Sequence, residues 1–257
     1  ITPRVTGLTA GTYHVQIEDD NGCFDTAQAT IIQPSSVVTS SITDTTHNLC
    51  FNDCDGVAIV TPFGGTPGYT YDWYDAPGSV IDSTISGLCD GNYNVRVTDA
   101  NGCTHVSTVE ITEPSVLTGT TTPTHLFCNS VCEGEINLTP IGGTSPYTFK
   151  WYNAPTTPTS EDVAGLCAGT YHVEVTDNNL CVDTISTVLN EPDTLVATII
   201  SLTNVLCHGD QTGSAAVTQT GGVGGYSYSW YDAPHDPALP VINSLPAGTY
   251  HVRVADL

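Results

Sequence analysis

The sequence predicts an all-β protein: a tandem array of small Greek-key, immunoglobulin-like β-sandwich domains of about 78 residues each, stapled by disulfides. Three observations predict it. One phrase returns four times, as GLTAGTYHVQIED (7–19), GLCDGNYNVRVTD (87–99), GLCAGTYHVEVTD (165–177) and SLPAGTYHVRVAD (244–256). Cys50, Cys54, Cys89 and Cys103 recur as Cys128, Cys132, Cys167 and Cys181, each 78 positions later. Between Gly and Pro breaks the chain reads as short, alternating β-branched and aromatic runs, with no helical period.

The repeat sets the boundaries. Residues 1–34 form the C-terminal part of one sandwich, 35–114 and 115–192 are complete repeats, and 193–257 is a repeat lacking its last strand. The opening residues already lie inside a repeat. The chain therefore reads as a window cut from a longer polypeptide, with secretion signals and anchors outside it. Within a unit, GVAIVTPF, YTYDWY, NYNVRVTD and THVSTVEIT are strand runs, and Asn101-Gly102 suits the positive φ of a hairpin turn. About six or seven such strands suit a sandwich. The spacing Leu-x-x-Gly-x-Tyr marks a tyrosine corner, in which a buried Tyr at the start of a late strand returns its hydroxyl to upstream backbone. It occurs at Leu88, Gly91, Tyr93, at Leu166, Gly169, Tyr171 and at Leu245, Gly248, Tyr250, and also at Leu8, Gly11, Tyr13. Tyr171, Val173 and Val175 then face the core, while His172 and Glu174 face water. Trp73, Trp151 and Trp230 are the central core aromatics.

The cysteines are read by comparing copies. In the last unit Cys207 persists, but Gln211 stands where Cys54 would recur and Pro246 where Cys89 would. Loss of both together predicts the bridges Cys54–Cys89 and Cys132–Cys167. Elimination then pairs Cys50–Cys103 and Cys128–Cys181, with Cys207 bonding a cysteine past Leu257 and Cys23 one upstream of Ile1. A plain immunoglobulin topology pulls against the second pairing, since it sets Cys50 and Cys103 toward opposite ends of the sandwich. The competing reading is a four-thiolate zinc site. A unit that drops two ligands yet keeps its turns and aromatics argues for disulfides, and so for an oxidising, extracellular compartment at the cell surface.

Other functional classes are weighed on chemistry. Four Lys and Arg stand against 27 Asp and Glu, a formal charge of −23; this surface repels nucleic acid and anionic membrane. No run of about 18 apolar residues is present to span a bilayer. His14, His172 and His251 share one repeat position, occupied in the other copy by Asn94, and sit roughly 30–40 Å apart, too far to share a metal. Asp53, Asp55 and Asp90 are the calcium candidates, because Asp oxygens in Gly turns suit that ion. No complete calcium loop is present, and Asp populates turns for local reasons as well. No nucleophile–base pair recurs and Lys150 is the sole lysine, so no enzyme and no cofactor are expected.

The words GGTPGYTYDW, ISGLCDGNYNVRVTDANGC and VEITEP resemble the SprB-type repeat of Bacteroidota gliding-motility and cell-surface adhesins, over essentially the whole chain. The resemblance implies a giant cell-surface protein, exported by the type IX secretion route and serving gliding or attachment. The family's common pattern has two cysteines, matching Cys50/Cys103 and Cys128/Cys181; the extra pair Cys54/Cys89 and the WYDAP word depart from it. In such bacteria Asp-Thr and Asp-Ser words can carry O-glycans, which makes Thr26, Thr45, Ser83, Thr184 and Thr194 the glycosylation candidates. The joints IQPSS, TEPSV and NEPDT are short and hold Pro, which fixes φ and stiffens a link. The expected role is a semi-rigid spacer in an extracellular filament, its partners being neighbouring repeats and other copies in a fibre. The alternative is a multivalent adhesive module that binds glycans or surfaces through each repeat. The segments after WYDAP differ in every copy, which favours the spacer.

Overall fold

A computed structural model of the chain describes residues 4–78, 80–234 and 238–256, and all regular structure among them is strand. A leading hairpin is formed by β1 (Gly11–Glu18) and β2 (Phe24–Ile31). The first complete repeat holds β3 (Thr39–Thr46), β4 (Gly56–Phe63), β5 (Thr70–Trp73), β6 (Thr84–Leu88), β7 (Gly91–Thr98) and β8 (Thr104–Ile111). The second holds β9 (Thr118–Thr124), β10 (Gly134–Ile141), β11 (Thr148–Tyr152), β12 (Val163–Leu166), β13 (Gly169–Thr176) and β14 (Val182–Leu189). The third holds β15 (Val196–Thr203), β16 (Gly213–Thr220), β17 (Ser227–Tyr231), β18 (Val241–Leu245) and β19 (His251–Ala255). The chain divides into two compact units, Ile1–Pro114 and Ser115–Leu257.

Each complete repeat is a two-sheet sandwich. In the first, the sheets run β3-β4-β6 and β5-β7-β8; in the second, β9-β10-β12 and β11-β13-β14; all pairings are antiparallel. This is the A-B-E and C-F-G arrangement of an immunoglobulin-like fold, with the tryptophan on the C strand. The third repeat pairs β15-β16-β18 and β17-β19. Alternation along β7 and β13 sets the core: Tyr93, Val95 and Val97, like Tyr171, Val173 and Val175, point inward and are buried. The strands β3 and β6, with their copies, escape a reading by apolar runs. TSSITDTT of β3 is mostly Ser and Thr, and TISGL of β6 is interrupted by Gly87 at φ 74°. In the leading hairpin no second sheet faces β1 among the described residues. Val15 and Ile17 are therefore exposed where Val95 and Val97 are buried.

Trp73, Trp151 and Trp230 are each at most 3% exposed. Each indole N–H reaches a backbone carbonyl nine residues on, at Asp82, Ser160 and Leu239, all at 3.0 Å. The far end of the loop after the tryptophan is thus held by backbone, whatever side chain stands there. A buried indole with its N–H satisfied combines large apolar burial with no orphan donor.

One residue contradicts its surroundings. Asn48 is 4% exposed, and neither its side-chain oxygen nor its nitrogen has a hydrogen-bond partner among the described residues. Its copies in the other repeats are Leu126 and Val205, and Leu126 is buried. Asn48→Leu is expected to stabilise the first repeat by about 1–3 kcal/mol, the cost of a buried unsatisfied amide. Urea unfolding followed on this repeat checks it, and a loss of stability would contradict the packing described.

Candidate functional site: the two ends of each repeat

The recurrent words of the sequence collect at the two ends of the sandwich. At the entry end sits a Gly-Gly turn, Gly64-Gly65 in the first repeat, with φ 67° and 61°. A Cβ on Gly64 would lie 2.2 Å from the Val37 carbonyl oxygen, so both the turn and the close approach require glycine. The Gly65 N–H donates to the Ser36 carbonyl at 3.1 Å, which ties the incoming chain to the turn. Gly143 does the same to Ser115 at 2.9 Å, and Gly222 to Asp193 at 2.8 Å.

Beside this turn lies an aspartate that opens the hairpin turn between β7 and β8. Asp99 is buried; its Oδ1 accepts the N–H groups of Asn101 and Cys103, and its Oδ2 accepts that of Thr66 at 2.9 Å. One carboxylate therefore shapes its own turn and clamps it to the Gly-Gly turn. Asp177 repeats every bond, to Asn179, Cys181 and Thr144. Asp256 bonds Val223, and Asp19 bonds Asn21 and Cys23. Hydrogen bonds to a charged acceptor favour the charged form. The Thr66 N–H holds the Asp99 carboxyl below its ordinary value of 3.8; burial opposes this, and the Cys103 and Asn101 N–H groups add to the lowering. A depressed folded value means stability present above about pH 3.8 and lost as the pH falls through the lower folded value. Acid unfolding of Asp99→Asn is expected to lose this pH dependence in the first repeat, and an unchanged acid limb would contradict the clamp.

The exit end carries the cysteine loop and the Glu-Pro joint. Glu113 Oε2 accepts the Asn52 N–H at 2.6 Å, and Glu191 Oε2 accepts that of Ser130 at 2.7 Å; both donors have left-handed backbone, φ 61° and 60°. The glutamate of the Glu-Pro word thus anchors the joint to the loop of its own repeat. Asn129 adds to this grip in the second repeat: its Nδ2 donates to the Pro192 carbonyl, and its Oδ1 accepts the Thr194 hydroxyl.

The tyrosine corners lie where the spacing puts them. The hydroxyls of Tyr93, Tyr171 and Tyr250 donate to the carbonyls of Cys89, Cys167 and Pro246, four residues upstream, at 3.2, 2.9 and 2.9 Å. Tyr13 reaches Thr9 at 2.8 Å. The acceptor is backbone, so the corner tolerates Pro246 in place of cysteine. Leu88, Leu166 and Leu245 are buried beneath it, and Gly91 and Gly169 begin the Tyr strands with Gly248 at the same place. A second tyrosine staple escapes the sequence reading: Tyr69, Tyr147 and Tyr226 donate to Gly64, Gly142 and Gly221. A Tyr five residues after the first Gly of the Gly-Gly turn at 64–65, 142–143 and 221–222 is the signal for it.

The structure closes Cys54–Cys89 and Cys132–Cys167. Cys54 precedes β4 and Cys89 follows β6, and these strands pair in register Gly56↔Leu88. The bridge therefore pins one end of a strand pair, as does the second at Gly134↔Leu166. Gln211 and Pro246 flank the same pair in the third repeat, at Gly213↔Leu245. Oxidation of these four sulfurs also removes the four-thiolate zinc site.

The pairings reached by elimination, Cys50–Cys103 and Cys128–Cys181, are corrected. Cys103 and Cys128 are free, exposed thiols, as are Cys23 and Cys207; Cys50 and Cys181 are each in a disulfide, with other partners than those. The reason is position. The Cys50 loop lies at the far end of β8, where Asn48 bonds Thr112 and Asn52 bonds Glu113, whereas Cys103 immediately precedes the start of β8. Eight strand residues separate the two ends by roughly 27 Å, against a Cα reach of about 7 Å for a disulfide. Cys128 and Cys181 lie at opposite ends of β14 in the same way.

The Cys54–Cys89 bridge sets the calcium candidates Asp53, Asp55 and Asp90 next to one disulfide, but among the described residues no three His, Cys, Asp or Glu side chains form a metal cluster. Asp55 Oδ1 instead accepts the Leu49 N–H. Of the glycan candidates, Thr26 and Thr184 lie on strands with exposed side chains, Thr45 and Ser83 are half-buried, and the Thr194 hydroxyl is bonded to Asn129. His14 and His251 are exposed on their strands, and His172 is half-buried and bonded to Ser186.

A search of curated proteins returns no match. Among solved structures, the N-terminal eight Ig domains of Down Syndrome Cell Adhesion Molecule align at 11% identity and TM-score 0.37, covering 95% of this chain and 39% of that one. This chain thus spans about two fifths of that structure. The tetra-tandem repeat in the extending region of a large adhesion protein aligns at 15% identity and TM-score 0.28, covering 95% and 69%. The family model for the SprB repeat matches residues 42–78, 120–156 and 199–234, which run from the first strand of each repeat through its tryptophan into the following loop. The chain therefore carries three SprB repeats in tandem, one in each of its three repeat units.

Proposed function

We propose that the chain is a structural segment of a long extracellular surface filament or stalk, in which each repeat is a semi-rigid, disulfide-stabilised spacer. The observation that carries this is the anchoring of the joint. In the segment Glu113-Pro114-Ser115, Glu113 is bonded to the cysteine loop of its own repeat, and Ser115 to the Gly-Gly turn of its own. Pro114 alone lies between these anchors, and its φ is fixed by its ring. Such a link has little freedom to flex. The disulfides support an oxidising, extracellular setting. The reading assigns no catalytic step to the chain. Three SprB repeats in tandem support neighbouring repeats as the first partners, with other copies in a fibre as the next.

A second reading, adhesion to glycans or surfaces, is favoured by one observation. Tyr74 and Tyr231, each following the core tryptophan, are about half exposed, and Arg96 lies over the Tyr74 ring beside its ion pair with Asp72. An exposed ring among polar groups suits a sugar face. Small-angle scattering and glycan arrays on the full chain separate the readings. The spacer predicts an elongated particle that binds no glycan above control. A compact particle would overturn it, and saturable glycan binding lost in Tyr74→Ala would replace it with the adhesive reading.

A further inference from the structure

Both complete repeats end on the same bond between a side chain and the backbone. At the close of β8 the Thr112 N–H donates to Nδ1 of His47 at 3.1 Å, while the Thr112 carbonyl accepts the Asn48 N–H at 3.0 Å. At the close of β14 the Asn190 N–H donates to Nδ1 of His125 at 3.1 Å, while the Asn190 carbonyl accepts the Leu126 N–H at 3.0 Å. Each histidine is the first residue after the opening strand of its repeat, β3 or β9. Each N–H belongs to the residue just before the Glu of the Glu-Pro joint. The imidazole thus ties the end of the first strand to the end of the last, which lie in different sheets, where the chain leaves the repeat.

A nitrogen that accepts an N–H carries a lone pair, so this bond requires a neutral ring with its proton on Nε2. A protonated imidazole carries N–H on both nitrogens and presents a donor to a donor. We propose that His47 and His125 form a proton-sensitive latch at the exit of each complete repeat, closed when neutral and open when charged. On opening, Thr112 and Asn190 lose an acceptor for their N–H groups and the strand ends loosen directly before the joint. The acidic groups bonded into the same loops are Asp55 and Glu113 beside His47, and Glu133 and Glu191 beside His125; each already accepts an N–H of its own loop. The third repeat has Asn204 at the equivalent position, an acceptor that does not titrate. The latch depends on the geometry inside each repeat and not on the spacer reading.

Amide hydrogen exchange on the full chain tests it, with rates normalised to the unprotected amide. From about pH 8 to about pH 5, the range in which an imidazole takes up a proton, protection of Thr112 and Asn190 falls roughly tenfold, the equivalent of one hydrogen bond. The loss follows the ring titration read by NMR. His47→Asn and His125→Asn keep the protection and abolish its pH dependence, whereas His172→Asn leaves it unchanged. Protection that stays constant across this range overturns the latch, as does the same loss in the Asn variants. Ring nitrogen shifts of the native chain give a second reading: Nε2–H tautomers support the latch, and Nδ1–H tautomers overturn it.

Discussion

Truncating Trp151 to alanine will cost the second complete repeat about 3–5 kcal/mol. The ring is fully buried and packs in one cluster with Leu138, Val163, Leu166, Val173 and Leu189, from both sheets. Its loss leaves a cavity that rigid β-strands cannot close, and a void in a close-packed interior forfeits contacts on every side. The Ser160 carbonyl also loses the indole donor, so the loop after β11 comes loose from the core. A domain of this size has a total stability of roughly 4–12 kcal/mol. The substitution therefore removes much of it. Urea unfolding followed by exchange at β13 amides measures the effect, and the first repeat, with its own Trp73, serves as the reference within the same molecule. A loss under about 1 kcal/mol would mean that the core is not organised around the indole.

Removing the Cys132–Cys167 bridge by the double change Cys132→Ser and Cys167→Ser will lower the stability of the second repeat by about 2–4 kcal/mol. The bridge closes a segment with sequence separation 35, and chain entropy in the unfolded state supplies the effect. The fold itself should survive, because the tyrosine corner uses only the carbonyl of residue 167. The third repeat shows the same corner on Pro246, without a bridge. The reverse experiment is Gln211→Cys with Pro246→Cys, which should stabilise the third repeat by a similar amount. Unfolding with and without reductant checks both. Equal sensitivity of all three repeats to reductant in the native chain would contradict the assignment.

Legibility in the sequence followed the kind of contact. Tyr93, Tyr171 and Tyr250, the three tryptophans and the alternating valines are short-range patterns, and a repeat compares them copy by copy. Cys54–Cys89 was legible for the same reason, since the third repeat deletes both partners at once. The partner of Cys50 was not. Elimination presumed that a repeat satisfies its own sulfurs, and nothing local states that the cysteine loop and the β7–β8 turn cap opposite ends of β8. The aspartate clamp joins two turns 33 residues apart. Its signal is an Asp four residues before a cysteine in three copies, Asp19 before Cys23, Asp99 before Cys103 and Asp177 before Cys181. Those residues also suit turns by themselves, which masked the longer reach to Thr66 and Thr144. His47 and His125 carried no apolar or charge pattern, because what they hold is a backbone N–H.

The indole's grip on a main-chain oxygen nine positions downstream separates the scaffold from the letters written on that loop. Asp82, Ser160 and Leu239 share no chemistry beyond the peptide group, yet each serves equally. The stretch between is consequently a natural grafting position. Foreign peptides of matching length can be displayed there, once per module, provided Ala76, Ala154 or Ala233 stays against the core at its start.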